Sequence, residues 1–195
     1  LLLLPISSLA QDAWNLKKDA DGIAVYTRKL NNEKYIEIKV ATEFNSTAAK
    51  LTQILQDVTH QANWAYNTKK AFLLSRKNKD TLTYYSEVSL PWPVSNRDLV
   101  IQLCMSHDIS DHVMLIQAHS VGNIYPVQPN LVRVPYSLGS WTVTTLNPNR
   151  IKIEYLLSVN PGGALPAWLV NCTAVTGPFN TFKKLKELAE SKKSY

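Results

Sequence analysis

From Lys70 to Ser158 the chain alternates between apolar and polar residues in short runs, with a period of two. That period sends successive side chains to opposite faces of a strand. Strands are predicted near 70–76, 80–89, 97–107, 112–121, 131–136, 139–146 and 150–158. Their connections are short and rich in Asn, Asp, Pro and Gly, which favours antiparallel pairing. Two earlier runs, at 23–28 and 35–41, read the same way and are joined through Asn31-Asn32. Between these groups the period lengthens. Leu51, Ile54, Leu55 and Val58 share one face of a helix that Ser46 can cap. A further short helix is expected over 60–66, and a short opening helix over 12–16.

The last segment has helical spacing throughout. Leu165, Trp168, Leu169, Cys172, Val175, Phe179, Phe182, Leu185 and Leu188 form a stripe, with Pro166 suited to the first turn. Gly177-Pro178 interrupts the stripe and should kink it. The predicted order is helix, two strands, two helices, seven strands, long helix. An α+β architecture satisfies it: a curved antiparallel sheet of about nine strands gripping the C-terminal helix. Such a sheet encloses volume, and an enclosed apolar volume can hold a ligand.

The chain has 195 residues, enough for one domain over 11–195. Residues 1–10 stand apart. They are apolar and uncharged and end in Ser8-Leu9-Ala10, which reads as the remnant of a secretory signal. That reading predicts an exported protein, periplasmic or secreted; without it the chain would be cytoplasmic. The net charge is +6, and five lysines fall between Lys183 and Lys193. At the end of a helix they complement its dipole or attract anionic lipid head groups.

Several chemistries find no support. His60, His107, His112 and His119 lack zinc-site spacing, and Cys104 and Cys172 form no metal pattern. The cysteines read as free and buried. No Gly-rich phosphate loop or nucleophile elbow is present. The aromatic and basic residues lack the density of a nucleic-acid surface. No cofactor is implied.

The stretch Glu87-Val-Ser-Leu-Pro-Trp-Pro-Val-Ser-Asn-Arg-Asp98 carries the most information. It places Arg97 at the head of an apolar run, and a buried unpaired charge is very costly. If 80–89 and 97–107 form a simple hairpin, Glu87 falls opposite Arg97. Tyr85, Glu87, Arg97, Leu99, Ile101, Leu103 and Met105 then share a face. Arg97 finds its anion either in Glu87 or in a ligand's phosphate or carboxylate. Trp92, between two prolines, reads as a corner residue plugging the core. Residues 121–130 form a loop with apolar side chains, suited to a lid or a membrane-touching tip or an ordinary connection.

That stretch is similar to a conserved segment of the steroidogenic-acute-regulatory-related lipid-transfer (START) domains. Asn160-Pro-Gly-Gly-Ala-Leu-Pro-Ala-Trp-Leu-Val-Asn171 resembles the entry to the same family's C-terminal lid helix. Both segments look nearest the phosphatidylcholine transfer protein branch. The resemblance spans roughly Trp14 to Lys193 and implies a helix-grip fold, with a lipid cavity roofed by the last helix and loop 121–130. It implies no catalysis. Arg97 matches an arginine that contacts the lipid phosphate in that branch. The positions of a second phosphate contact and a choline-caging tyrosine fall at Gly139 and Ser137, neither of which can do that work. A phospholipid, a sterol or another single apolar ligand therefore stays open.

The expected function is non-catalytic binding or intermembrane transfer of one lipid, with transient membrane contact and no nucleic acid. Arg97 and Glu87 would meet the polar end, beside Tyr85, Leu99, Ile101 and Leu103. Trp141, Val143, Ile153, Tyr155, Trp168 and Phe179 would line the apolar volume. The alternatives are a cyclase- or hydrolase-like enzyme of the same superfamily, with Glu87 and His119 as its acid–base candidates, and a small-molecule sensor.

Overall fold

A computed structural model describes residues 13–29, 36–108, 112–122 and 124–192. The segment 1–10 therefore lies outside the described residues, as does the Asn31-Asn32 connection.

The chain opens as a strand rather than a helix. β1 (Asn15–Ala20) pairs with β2 (Ile23–Lys29) across a tight turn at Asp21-Gly22. Asp21 and Gly22 both have positive φ there, which Asp and Gly tolerate best. β1 is almost wholly exposed, so its residues carry no buried stripe to announce a strand. β3 (Ile36–Phe44) follows, then α1 (Ala48–Gln56) and a 3-10 turn (Val58–Asn63). Thr47 caps α1, its hydroxyl accepting from Lys50 N–H at 3.1 Å. Ser46, expected in that role, instead donates to the carbonyl of Ala189 at 2.8 Å, tying α1 to the end of the last helix.

Seven strands follow: β4 (Thr68–Asn78), β5 (Thr81–Val88), β6 (Arg97–Asp108), β7 (Val113–Ser120), β8 (Val132–Arg133), β9 (Tyr136–Asn147) and β10 (Arg150–Asn160). Nine of the ten strands among the described residues form one antiparallel path in the order β1-β2-β3-β10-β9-β7-β6-β5-β4. β8 pairs in parallel with the start of β6. The helix-grip fold is completed by α2 (Ala167–Glu190), which runs unbroken through Gly177-Pro178. At 24 residues it is roughly 36 Å long.

The two halves of α2 sit differently. The C-terminal half buries Phe179, Phe182, Leu185 and Ala189 against the sheet. Its end is also held by Asn45 N–H donating to Glu190 at 2.8 Å and by Lys50 donating to the Ser191 carbonyl. No basic residue falls in its last turn, so the lysines do not complement the helix dipole there. Lys183 instead pairs with Asp21 at 2.7 Å. The N-terminal half presents Val170, Thr173, Ala174 and Gly177 to a cavity. No helix among the described residues is long and apolar enough to cross a membrane.

Candidate functional site

The register of β5 with β6 decides which side chains face inward. Val88 pairs with Arg97, Ser86 with Leu99, Tyr84 with Ile101 and Leu82 with Leu103. Glu87 therefore stands opposite Asp98, not Arg97. A slip of one residue exchanges the two faces of a strand. Tyr84, Ser86 and Val88 thus line the cavity, and Tyr85 and Glu87 turn to the outside of the sheet.

The slip originates in the connection at 89–96. Ser89 N–H donates to the Asn67 carbonyl, Leu90 N–H to Asn96 Oδ1, and Val94 N–H to the Pro91 carbonyl. Trp92 rides on this turn with 91% of its surface exposed. It is not the core plug its flanking prolines suggested.

The cavity has a volume of about 560 Å³. Its walls come from β5, β6, β9, β10 and α2, with the 3-10 turn at one end. The volume falls within the usual range for small-molecule sites. The lining is apolar for the most part, and Arg97 is the sole charged residue among the described lining residues.

Arg97 is 5% exposed. Its guanidinium donates to the carbonyls of Ser95, Gly162 (3.0 Å) and Pro161 (3.4 Å). Burial pushes its pKa below the ordinary guanidinium range, while Arg stays protonated in proteins. The Pro161 and Gly162 carbonyls come from the Asn160-Pro-Gly-Gly turn, whose shape rests on two consecutive left-handed glycines, Gly162 and Gly163. Asn160 Oδ1 accepts from Gly162 N–H at 3.0 Å and closes that turn. A side chain on Gly162 would meet Pro135 at 3.0 Å and the Arg133 carbonyl at 3.2 Å. The two sequence segments singled out above therefore converge on one guanidinium.

The carboxylates are occupied elsewhere. Glu87 accepts from Lys69 (2.9 Å) and Asn96 (3.1 Å). The Lys69 hydrogen bond holds its pKa below the usual carboxylate range against the opposing effect of burial. Asp98 is fully buried and takes a bidentate contact from Arg133, both distances 2.9 Å. Tyr85 stacks between Phe72 and Tyr125, centroids 4.9 Å from each. Burial, with Asp98 close by, pushes its pKa up to about 12.

Tyr125, in the connection after β7, packs on the outside of β4 and β5, and none of the described residues of 121–131 lines the cavity. That cover explains why β5 is buried on both faces. His119 pairs with Gln102, one register step from the inward-facing Leu103, and is not a lining residue. The two acid–base candidates are thus both outside the cavity.

The other expected lining residues divide. Leu99, Ile101, Leu103, Trp141 and Tyr155 line the cavity. Val143, Ile153 and Phe179 are buried in the core behind it. Trp168 begins α2, and its side chain lies outside the described ones. Trp141, Tyr155 and Phe182 form an inner aromatic cluster with centroids 4.7 to 5.4 Å apart. Gly139 has a packing reason: a Cβ there would meet the Tyr155 ring at 3.0–3.1 Å. Ser137 is buried against the cavity. Sequence reasoning missed Gln61, Trp64 and Tyr84. The first two lie on a short 3-10 turn and its cap, which have no apolar period to mark them.

The START domain family matches residues 7–194. A Pseudomonas aeruginosa protein, PA1579, is 30% identical over 186 residues, 95% of this chain and 91% of that one. The mouse phosphatidylcholine transfer protein is 26% identical over 183 residues, 91% of this chain and 84% of that one. The crystal structure of a STAR-related lipid transfer protein fragment from Xanthomonas axonopodis superposes with a TM-score of 0.83. It is 29% identical and covers 92% of this chain and all of that one. The chain belongs to the START domain family. Its membership implies lipid binding or transfer as the general activity.

Proposed function

We propose that the protein is a non-catalytic carrier that takes one lipid with an anionic head group into the cavity, seats the head on Arg97 and moves it between membranes. The observation that supports this most is Arg97 itself. It is a buried, permanently charged side chain lining an apolar cavity, and its described partners are neutral carbonyls. Carbonyls satisfy the N–H groups but leave the net charge uncompensated in a medium of low dielectric. A phosphate or carboxylate supplies the missing charge and accepts charge-assisted hydrogen bonds. A choline head would lack its aromatic cage at Gly139 and Ser137, which favours an anionic head over phosphatidylcholine.

Transfer needs a membrane contact and a door. Trp92 fits the first role. It is exposed on the turn between Ser89-Leu90 and Arg97, residues that line the cavity. Indole rings favour the interface between lipid and water. The N-terminal half of α2 fits the second. It covers the cavity and is separated from the anchored half by Gly177-Pro178, where one helical N–H is missing and glycine loosens the backbone.

Native mass spectrometry of the purified protein should show one bound lipid with an ionised head, and exchange between vesicles should follow. A uniformly empty protein that takes up no anionic lipid would overturn the reading. Binding without exchange would indicate a sensor. Gly177→Ala tests the door. A Cβ there meets Tyr66 at an ordinary 3.6 Å, so the substitution fits. It should stabilise the helix by about 0.5–1 kcal/mol and slow exchange while leaving equilibrium affinity intact. Unchanged exchange would dismiss the helix as the gate.

A further inference from the structure

Two side chains at the far end of the cavity carry buried polar atoms with no hydrogen-bond partner: Gln61 Oε1 and Trp64 Nε1. Both residues line the cavity, and both are more than nine-tenths buried. Gln61 Nε2 donates to the Tyr84 hydroxyl at 3.2 Å, which ties the amide to the β5 wall. An orphaned buried donor or acceptor costs about 1–3 kcal/mol, so such atoms are rare unless something answers them. Here one orphan is an acceptor and the other a donor, three residues apart on the 3-10 turn and its cap.

The geometry points to a second recognition point: Gln61 and Trp64 form a neutral polar subsite that receives a hydroxyl or carbonyl oxygen on the ligand's apolar body. This rests on the lipid reading above and narrows it to a class of lipid. A hydroxyl answers both orphans at once, accepting from Trp64 Nε1–H and donating to Gln61 Oε1. Exchanging the oxygen and nitrogen of the Gln61 amide would let Tyr84 donate to Oε1 and open an N–H instead. A ligand oxygen answers that arrangement too. A second ionised group finds no counter-charge there, because Arg97 is the sole charged residue among the described lining residues.

The spacing is set by the strands. Val88 lies opposite Arg97, and Tyr84, which holds Gln61, lies opposite Ile101. These pairs are four residues apart, roughly 13 Å along the strand. The ligand that fits is a single-headed anionic lipid with an oxygen part-way along its chain rather than beside its head.

Octadecanoate and its mid-chain hydroxy derivative are suitable probes, compared by calorimetry on the whole protein. The hydroxylated lipid should bind about tenfold more tightly, the equivalent of one added hydrogen bond. Trp64→Phe keeps an aromatic side chain and removes the N–H together with the five-membered ring. It should abolish that preference, bringing the two lipids to the same affinity. The smaller ring leaves unfilled space and should lower ligand-free stability, so the readout is the ratio of the two affinities within each protein. Equal binding of both lipids by the parent would overturn the subsite and leave the lipid reading standing. Binding of neither would overturn both. A preference for the hydroxylated lipid that survives in Trp64→Phe would also overturn the subsite.

Discussion

Arg97 and Arg133 stand side by side yet solve the problem of a buried cation in opposite ways. The β6–β8 pairing puts Arg133 beside Asp98 and Arg97 beside Val132. On the outer face Arg133 meets Asp98 in a two-pronged contact, and that hydrogen bond raises its pKa. On the inner face Arg97 meets carbonyls among the described residues, and burial lowers its pKa. One arginine is a finished structural pair. The other keeps an uncompensated charge facing a cavity. The structural pair and the proposed head-group site thus lie on opposite faces of β6, one residue apart.

The largest expected effect tests the structural side. Asp98→Ala would leave Arg133 largely buried without its carboxylate and should cost about 3–5 kcal/mol in a denaturant titration. A cost below about 1 kcal/mol would mean that solvent already screens the pair. Next comes the ligand side. Arg97→Met should weaken anionic-lipid binding at least tenfold while changing ligand-free stability by no more than about 1 kcal/mol. Were Arg97→Met as destabilising as Asp98→Ala, Arg97 would be a structural cation too and the contrast would vanish.

The sequence announced most of this architecture and half of the site, and the division has physical causes. Strands β7, β9 and β10 and the long C-terminal helix were legible because each buries a periodic face, and β4 and β5 because turn residues bound a strand-length run between them. β1 was not, since its residues are nearly all exposed and nothing periodic marks them. Arg97 stood out because charge before an apolar run is rare in any strand. Its partner was misread because register is a property of the connection, not of the strands. The turn around Pro91-Trp92-Pro93 moved Glu87 one step, and the parity of β5 moved with it. The carbonyl cradle was invisible for a different reason: backbone acceptors carry no side-chain signature, and only the paired glycines hinted at a special turn. Gln61 and Trp64 were hidden because one 3-10 turn is too short to show a period.

The smallest expected effect separates the two faces most cleanly. Glu87 was the residue that could have neutralised Arg97, yet it sits across the sheet with Lys69 and Asn96. Glu87→Gln should therefore leave anionic-lipid affinity unchanged. Its stability cost at neutral pH should be about 0.5–1 kcal/mol, since Lys69 is more than half exposed and solvent screens the pair. The folded carboxyl has a pKa below its ordinary 4.5, so its stabilisation is present above that value. It is lost as pH falls through the folded pKa. The gap between parent and Glu87→Gln should thus be open at neutral pH and close in acid, as denaturant midpoints across that range would show. A tighter grip on anionic lipid in Glu87→Gln would mean that the carboxylate offsets the Arg97 charge through the sheet. The inner and outer faces of β6 would then be electrostatically one site.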